Sequence, residues 1–417
     1  FDATGNGKKD LIVTSGGFEF GGDPLELTDR LYIQYREGSF SFSVNSLPPI
    51  GTNTSSVAAA DFDGDGDLDL FTGGDTAPWS YGIASESKLL RNNGNGVFEL
   101  VTEELAPGLE TIGMVTDAQW IGVTGEAGLE GGAGAAGAAS STPELVLAGE
   151  WMHPIVYAWR NGSFENVSNQ RGLDAYNGLW QVITAADLTG NGHMDLIAGN
   201  FGLNTRMQAS HDNPMRLYTG DFAKTGMRVP FITKQHETGE YPFDHSDELL
   251  QALPWLGQQF SSVRSFARQP FSELFEAETI DSAVVQSLTE LRSMIFLNDG
   301  KKYRAVPMPQ EAQTFPIQAI VVMDVNQDGL QDLIVGGNRF DVKPTYGGRQ
   351  DAGLGLLLLN QGDGQFDAVP SSRSGLFAPG EIRNLHRIRS VGGSERLLIV
   401  RNNDAPLLYE FAEVDGL

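Results

Sequence analysis

Cysteine is absent from the 417 residues, so neither disulfide bonds nor thiol chemistry contributes to this protein. Basic residues are scarce, since 28 Lys and Arg oppose 54 Asp and Glu and the formal net charge is −26. Nucleic acids and anionic membrane surfaces require basic patches, so this charge argues against both as partners. No apolar run reaches the roughly 18 residues that a spanning helix needs, and we predict no transmembrane segment in the chain.

Catalytic motifs are lacking as well. The sequence contains no G-x-S-x-G elbow, no H-E-x-x-H helix and no phosphate loop, and its six His residues are scattered. A polysaccharide lyase would need a converging set of Lys, Arg, Tyr or His side chains, and the sequence displays no such set. We therefore assign no catalytic residue and favour a protein that is not an enzyme.

What the sequence does contain is an acidic loop of nine residues that recurs four times. The copies span residues 61–69, 2–10, 187–195 and 324–332, and they are called the repeat loops below. Each copy runs into a short apolar strand followed by Gly or Ser, such as Leu70-Phe71-Thr72-Gly73-Gly74. Repetition in one frame indicates one repetitive domain rather than two or three independent ones.

The spacing within the repeat loops is suited to a hard cation. Oxygen side chains at positions one, three, five and nine can converge on one ion, position seven adds a main-chain carbonyl, and glycine at position six permits the sharp turn. Zinc would require His or Cys and magnesium a tighter octahedron, so we expect about four Ca²⁺ sites. The alternative is an acidic turn that binds no metal, which four copies in one frame make the weaker interpretation. The candidate metal ligands are Asp61, Asp63, Asp65, Asp67 and Asp69; Asp324, Asn326, Asp328, Leu330 and Asp332; Asp187, Thr189, Asn191, His193 and Asp195; and Asp2, Thr4, Asn6, Lys8 and Asp10.

Hairpin signals alternate with the repeat loops. An apolar run, an Asn/Gly turn and an aromatic residue follow one another from Leu89 to Phe98 and again from Ile295 to Tyr303. One unit therefore consists of four strands. A metal loop joins the first two strands, a longer connection leads to the third, and a tight turn leads to the fourth, which is the arrangement of a propeller blade. We predict an all-β fold in which residues 1–417 form a single seven-bladed β-propeller with all metal loops on one rim. Six blades result if the units at Asp187 and Asp221 share strands.

Three segments depart from the repeat. Residues 122–142 are rich in Gly and Ala and replace the loop after Asp117, which predicts a flexible insertion. The loop at Asp221 keeps one carboxylate, so we expect no metal there. Residues 244–291 carry helix-start residues and apolar residues at helical spacing, which predicts a helical insertion within one blade.

The repeat loops and the strands after them resemble the FG-GAP and VCBS repeats of integrin α-subunit heads and of many exported bacterial proteins. The segments Gly199 to Asn204 and Gly336-Gly337-Asn338 also look like bacterial VCBS proteins related to the ASPIC/UnbV group. The likeness covers essentially the whole chain. It implies a calcium-binding β-propeller in which the loop residues are the ligands, although Thr4 and Thr189 depart from the pattern at position three.

We expect an exported protein, because loops of modest calcium affinity fill where calcium is millimolar. The expected location is extracellular, periplasmic or on the outer surface of a bacterial cell. Since the chain opens at Phe1 inside the first repeat, we expect that any signal peptide was removed or is not included. The expected function is non-enzymatic binding or adhesion to an extracellular protein or glycan, and a carbohydrate-active enzyme such as a polysaccharide lyase is the alternative.

Two groups of side chains are candidates for ligand contacts. Aromatic residues near strand ends can stack on sugars or anchor peptides, although packing between blades explains them as well. A polar, Gly-rich connection after the fourth repeat loop is a fair place for ligand contacts, and a plain solvated loop is the equal alternative. The aromatic candidates are Trp79, Tyr81, Trp151, Trp180 and Trp255, and the polar ones are Arg339, Asp341, Lys343, Arg349 and Asp351.

Overall fold

The structure is a computed structural model that describes residues 1–17, 24–49, 51–122, 143–260, 262–266, 268–389 and 394–411. Almost all regular structure in these residues is β. The predicted insertion at residues 122–142 lies, from residue 123 onward, outside the described residues. In chain order the strands are β1 (Leu11–Val13), β2 (Arg30–Arg36), β3 (Ser39–Phe42), β4 (Thr54–Ala60), β5 (Asp69–Gly74), β6 (Thr76–Ala77), β7 (Ser80–Ala84), β8 (Lys88–Asn92), β9 (Phe98–Leu100), β10 (Met114–Ile121), β11 (Glu144–Met152), β12 (Ile155–Arg160), β13 (Ser163–Asn166), β14 (Gly178–Leu179), β15 (Val182–Ala186), β16 (Asp195–Gly199), β17 (Met215–Gly220), β18 (Val229–His236), β19 (Gly239–Pro242), β20 (Val284–Leu288), β21 (Met294–Asn298), β22 (Tyr303–Pro307), β23 (Ile317–Met323), β24 (Asp332–Gly337), β25 (Leu356–Asn360), β26 (Phe366–Val369), β27 (Ile382–Arg389), β28 (Glu395–Arg401) and β29 (Leu407–Glu410).

Short helices fill some of the connections, and most of them lie in one segment. The α-helices are α1 (Thr102–Leu105), α2 (Ser246–Ala252), α3 (Leu256–Gln259), α4 (Val263–Phe266), α5 (Phe271–Leu274), α6 (Ala277–Asp281) and α7 (Ser371–Ser374). Single 3₁₀ turns occur at Pro24–Leu27, Leu109–Thr111, Gln310–Gln313 and Pro344–Tyr346. No helix in the described part of the chain is long and apolar enough to cross a membrane.

Six antiparallel sheets follow one another along the chain, and within each sheet neighbouring strands pair in order. They are sheet 1 (β1-β2-β3), sheet 2 (β4-β5-β8-β9), sheet 3 (β10-β11-β12-β13), sheet 4 (β15-β16-β21-β22), sheet 5 (β23-β24-β25-β26) and sheet 6 (β27-β28-β29). A separate core of buried side chains fills the space between each sheet and the next. Sheets packed face to face in chain order form a β-propeller, so the predicted all-β propeller is confirmed.

In sheets 2, 4 and 5 the second strand is covered on both faces. Every residue of β5, β16 and β24 is buried, because each strand lies between two inter-sheet cores. Such strands are apolar throughout instead of alternating, which explains the unbroken apolar runs that follow the repeat loops. Glycine ends these strands where a neighbour approaches closely, since a Cβ on Gly337 would lie 1.7 Å from the carbonyl oxygen of Pro316.

A large insertion interrupts sheet 4. Residues 200–293 lie between β16 and β21, which nevertheless pair directly, with Leu196 opposite Phe296. The insertion contains a seventh sheet of order β19-β18-β17-β20 and helices α2 to α6. The loop at Asp221 joins two strands of this inserted sheet, so the units at Asp187 and Asp221 are nested. The blade count, seven or six, stays a prediction.

The insertion has a core of its own and a defined contact with the propeller. Aromatic and aliphatic side chains of β17, β18 and helices α2 to α5 form this core, with Phe222, Phe231 and Phe271 at its centre. The inserted sheet packs against β7, which pairs with β6 in a two-stranded sheet between β5 and β8, and against β11 of sheet 3. The insertion therefore covers the propeller at the ends of its second strands.

Candidate functional site

The repeat loops share one frame of hydrogen bonds, which begins at position one. Both carboxylate oxygens of Asp61 accept main-chain N–H groups of its own loop, from Gly64 at 2.7 Å and from Gly66 at 3.0 Å. The equivalent acceptors in the other repeat loops are Asp2, Asp187 and Asp324. Glycine at position six has a positive φ in all four loops, which that residue type adopts without strain.

Position five points its oxygen into the same turn. The main-chain N–H of Asp67, at position seven, donates to Asp65 Oδ1 at 2.9 Å. The corresponding donors are Lys8, His193 and Leu330, each 2.8 Å from the position-five side chain. Position seven therefore contributes its main chain to the loop, whatever its side chain is.

The carboxylates of Asp61, Asp63 and Asp65 form a cluster in which one oxygen of each lies within 4.8 Å of the others. Burial, followed by the charge of Asp65, raises the pKa of Asp63. Three like charges this close repel one another, so a cation between them would lower the free energy of the loop. Carboxylate and carbonyl oxygens are the donors that calcium prefers.

Position three of two repeat loops holds a buried threonine hydroxyl that could also contact a cation. The hydroxyl oxygens Thr4 Oγ1 and Thr189 Oγ1 are buried and accept or donate no hydrogen bond within the described part of the chain. An unpaired buried hydroxyl costs about 1–3 kcal/mol, so a partner is expected. Both lie at the loop position where the other two copies place Asp63 and Asn326. The residues of all four repeat loops therefore fit a cation with oxygen ligands.

The Asp at position nine accepts main-chain hydrogen bonds that the sequence did not predict. Asp69 is fully buried, and its two oxygens accept the N–H groups of Phe62 at 3.1 Å and of Asn92 at 2.8 Å. Burial raises the pKa of Asp69 to about 7. Asp10, Asp195 and Asp332 make the same pair of bonds. Each position-nine Asp thus ties its loop to the third strand of its sheet, or to β2 in sheet 1, and its role as a metal ligand stays a prediction.

A different site lies at the opposite ends of the second strands. The repeat loops at Asp187 and Asp324 precede β16 and β24, whereas Phe201 and Arg339, just after these two strands, line a cavity of about 400 Å³. Strands of five or six residues separate the two ends by about 17–20 Å. The lining residues are Tyr81, Glu150, Trp151, Leu179, Phe201, Met207, Pro230, Ile232, Asp244, Arg339, Asp341, Val342, Lys343 and Tyr346. They come from β7, β11 and β14, from the connection after β24 and from the insertion, and this cavity is called the central cavity below.

Glu150 organises the polar part of the central cavity. Its carboxylate accepts hydrogen bonds from the Tyr81 hydroxyl and from Gln181 Nε2 at 3.0 Å, and Arg339 Nη1 lies 3.4 Å away. Trp151 Nε1 donates to the same Tyr81 hydroxyl at 2.9 Å. Burial, followed by Glu150, raises the pKa of Tyr81 well above its ordinary value, while Glu150 above all raises the pKa of Arg339.

The insertion and the connection after β24 together supply the facing wall. Burial raises the pKa of Asp244, whose Oδ1 atom is buried without a hydrogen-bond partner among the described residues. The ring of Tyr346 stacks on Phe243 with 5.6 Å between centroids, and Lys343 Nζ lies 5.7 Å from the Tyr346 ring centre. This wall therefore combines an aromatic surface with one carboxylate and one ammonium group.

The structure brings together five of the ten candidate contact residues. Tyr81, Trp151, Arg339, Asp341 and Lys343 all line the central cavity. The remaining five lie elsewhere: Trp180 is fully buried between sheets 3 and 4, Trp255 packs in the core of the insertion, Trp79 is 54% exposed, and Arg349 pairs with Asp351 at 3.1 Å on the surface.

Sequence reasoning missed Glu150 and Asp244. Glu150 directly follows Gly149 near the end of a second strand, as Asp75 follows Gly74, Asn200 follows Gly199 and Asn338 follows Gly337. That recurring Gly-Asp/Glu/Asn pair was a usable signal. Asp244 had no comparable signal, because the insertion carries it to the cavity from outside the repeat.

Comparison with known proteins identifies a repeat family in two segments of the chain. Residues 2–72 and 141–198 match the FG-GAP-like repeat. No curated protein matches the sequence. The fold is similar to the crystal structure of BBS1N in complex with ARL6DN, soaked with lead, with 11% identity, a TM-score of 0.34, and coverage of 95% of this chain and 91% of that chain. A relationship to the ASPIC/UnbV group stays a prediction.

Proposed function

We propose that this chain, in which residues 2–72 and 141–198 match the FG-GAP-like repeat, is an exported, calcium-stabilised binding module whose central cavity receives the ligand. FG-GAP repeats and a propeller fold favour binding or adhesion. The observation that carries the proposal is the separation of two sites along the same strands. The repeat loops at Asp187 and Asp324 lie before β16 and β24, and residues just after the other ends of these strands line the cavity.

In this proposal, calcium at the repeat loops has a structural role. It would balance the carboxylates of Asp61, Asp63 and Asp65 and would give the hydroxyls of Thr4 and Thr189 a partner. Without that balance the loops should open first, because like charges lie close together there. The loop at Asp61 has the most carboxylates and the loops at Asp2 and Asp187 the fewest, so affinity should fall in that order.

Thermal melting in excess calcium and in chelator tests the metal sites. A site saturated at about a hundred times its dissociation constant adds about 2.7 kcal/mol, so chelation should lower the melting temperature by several degrees. Asp65→Ala should reduce the calcium-dependent part more than Asn191→Ala, which removes a neutral ligand from a weaker loop. Asp212→Ala, at a 95% exposed carboxylate outside the loops, is the matched control. Superimposable melting curves with and without calcium would show that the loops are acidic turns only.

Export needs a separate test. An antibody against the propeller should label intact cells of the source bacterium, or the protein should be released with the periplasmic fraction. Millimolar calcium in those locations would fill the loops, whereas cytosolic calcium would not. Recovery of the protein solely from the cytosolic fraction contradicts the export proposal.

A polysaccharide lyase is the second candidate, and one observation favours it. Tyr81, Arg339 and Lys343 converge in the central cavity, although the sequence displayed no such set. Against it, Tyr81 donates its hydroxyl to Glu150 and its pKa is raised, so this Tyr does not act as a base near neutral pH. Release of unsaturated products from uronate polymers, followed by ultraviolet absorbance, decides between the candidates, and turnover would establish the lyase.

A further inference from the structure

We propose that the central cavity binds a neutral saccharide ring, with its hydroxyls shared between Arg339 and Asp244 and its apolar face on the aromatic wall. This inference rests on the proposed function as a binding module and adds the chemical class of the ligand. Size is the first argument. A cavity of about 400 Å³ lies at the lower end of the roughly 300–1,000 Å³ of small-molecule sites, so it suits a compact ligand.

Charge is the second argument. Carboxylates of Glu150, Asp244 and Asp341 line the cavity together with the cationic groups of Arg339 and Lys343. An anionic ligand would face three carboxylates, and a cationic ligand would face a guanidinium and an ammonium group. A neutral ligand whose hydroxyls both donate and accept hydrogen bonds satisfies groups of both signs.

Unused hydrogen-bonding capacity is the third argument. The Asp244 carboxyl interacts with the Tyr346 hydroxyl, but its Oδ1 atom is buried and has no hydrogen-bond partner among the described residues, so a hydroxyl of the ligand can donate to it. Within the described part of the chain, the Arg339 side chain makes one hydrogen bond, from Nη1 to Glu150 at 3.4 Å. Its other N–H groups are oriented by that contact and can donate to ring or hydroxyl oxygens.

The aromatic wall is the fourth argument. Trp151 is 4% exposed and held by its bond to Tyr81, and Phe201 is 6% exposed. Tyr346 is braced by stacking on Phe243. These rings are fixed before any ligand arrives, so little side-chain freedom is lost on binding. Their apolar faces match the C–H faces of a pyranose ring.

Titration calorimetry with a panel of neutral monosaccharides and disaccharides, and with their uronic acid and amino analogues, tests this inference. At least one neutral saccharide should bind saturably below about 10 mM. Arg339→Gln and Asp244→Asn should each weaken that binding by at least about tenfold, because each removes or alters one polar partner. Arg349→Gln is the matched control, since Arg349 lies in the same connection and pairs with Asp351 outside the cavity.

The outcomes separate this inference from the proposed function. Melting curves in calcium confirm that each variant is folded. The saccharide inference is overturned if no neutral saccharide binds, if Arg339→Gln and Asp244→Asn bind like the unchanged protein, or if a uronic acid or amino analogue binds tenfold more tightly than its neutral parent. If any of these results occurs while melting still depends on calcium, only the saccharide inference is wrong and the proposal of a calcium-stabilised module is retained. Melting that does not depend on calcium contradicts the proposed calcium-stabilised module.

Discussion

Asp75 and Glu150 occupy equivalent places in neighbouring sheets, each directly after a glycine near the end of a second strand. Glu150 accepts a hydrogen bond from Tyr81 and lies 3.4 Å from Arg339 Nη1. Burial, followed by the charge of Glu150, raises the pKa of Asp75 to about 7, and the charge of Arg339 opposes this shift only in part. The protonation of Asp75 is therefore set by its burial and by the carboxylate beside it.

The raised pKa of Asp75 predicts a pH dependence of stability. Between pH 4 and 7 the folded protein holds a proton that the unfolded chain has lost, so this carboxyl makes stability fall as pH rises. Asp75→Asn removes this loss. The stability of the variant minus that of the unchanged protein should be larger at pH 8 than at pH 5, by at most about 3 kcal/mol. Urea midpoints at the two pH values measure the difference. Asp212→Asn should show no such change, and equal pH dependence in Asp75→Asn would contradict the buried carboxyl.

Gly337 lies too close to the main chain at Pro316 to accommodate a side chain. A Cβ on Gly337 would lie 1.7 Å from the Pro316 carbonyl oxygen, which belongs to the main chain and cannot rotate away. Gly337→Ala should therefore destabilise the fold by at least about 2 kcal/mol in urea unfolding. Gly257→Ala is the control, because its Cβ would meet its nearest neighbour at an ordinary 3.7 Å. A cost below about 0.5 kcal/mol for both would show that β24 shifts freely.

At the scale of elements, asparagines at the start of hairpin turns join the sheets. Asn92 donates Nδ2 to the carbonyl of Ala3 in the preceding repeat loop at 2.8 Å, and to that of Leu68 in its own loop at 3.0 Å. Asn360 repeats this arrangement with Leu188 and Gln331. The tie links the loop of one sheet to the third strand of the next, so the loops support one another.

Loss of this tie should be costly. Asn92 is 3% exposed, and its Oδ1 also accepts the N–H groups of Gly94 and Gly96 at 3.2 Å each. Asn92→Ala leaves several buried polar groups unpaired and should destabilise the protein by about 2–4 kcal/mol in chemical unfolding. Asn93→Ala removes the exposed neighbour, which bonds within its own turn, and should cost less than about 1 kcal/mol. Equal costs for both variants would contradict the inter-sheet tie.

At the scale of the whole molecule, residues 200–202 and 290–292 connect the insertion to sheet 4, and these two short segments, called the neck below, are hydrogen-bonded to each other. Asn200 Nδ2 donates to the carbonyls of Glu290 and Arg292 at 3.1 and 3.2 Å, and the Gly202 N–H donates to the carbonyl of Leu291 at 2.8 Å. Beyond the neck, the insertion has its own aromatic core. The propeller and the insertion therefore resemble two cooperative units that share the central cavity.

Removal of residues 203–289, with a short Gly/Ser linker in their place, tests this division. The shortened protein should keep a β-type circular dichroism spectrum and calcium-dependent melting, because sheet 4 pairs directly across the neck. It should melt at a lower temperature, since buried side chains such as Leu179 lose their cover, and it should lose saccharide binding together with Asp244. Failure to fold, or saccharide binding equal to that of the full chain, would contradict the division.

The sequence predicted the propeller because its evidence is local. Within the loop at Asp61, main-chain N–H groups no more than five residues away donate to the side chains of Asp61 and Asp65, so spacing alone indicates the turn and its acceptor residues. The apolar runs after the loops likewise indicate strands buried on both faces. The sequence did not distinguish the nested position of the Asp221 loop from that of a repeat loop of the propeller. The N–H groups of Thr225 and Gly226 donate to the Asp221 carboxylate, as the equivalent groups do in three of the four repeat loops.

By itself, the sequence therefore determined the all-β class, the repeating unit and the absence of thiol chemistry. The tertiary structure alone decided which side chains meet in the central cavity. Tyr81 and Glu150 are 69 positions apart, and Arg339 is 189 positions from Glu150. The physical reason is that a local hydrogen-bond pattern fixes a turn, whereas convergence of distant side chains depends on how the sheets pack and on where the insertion rests.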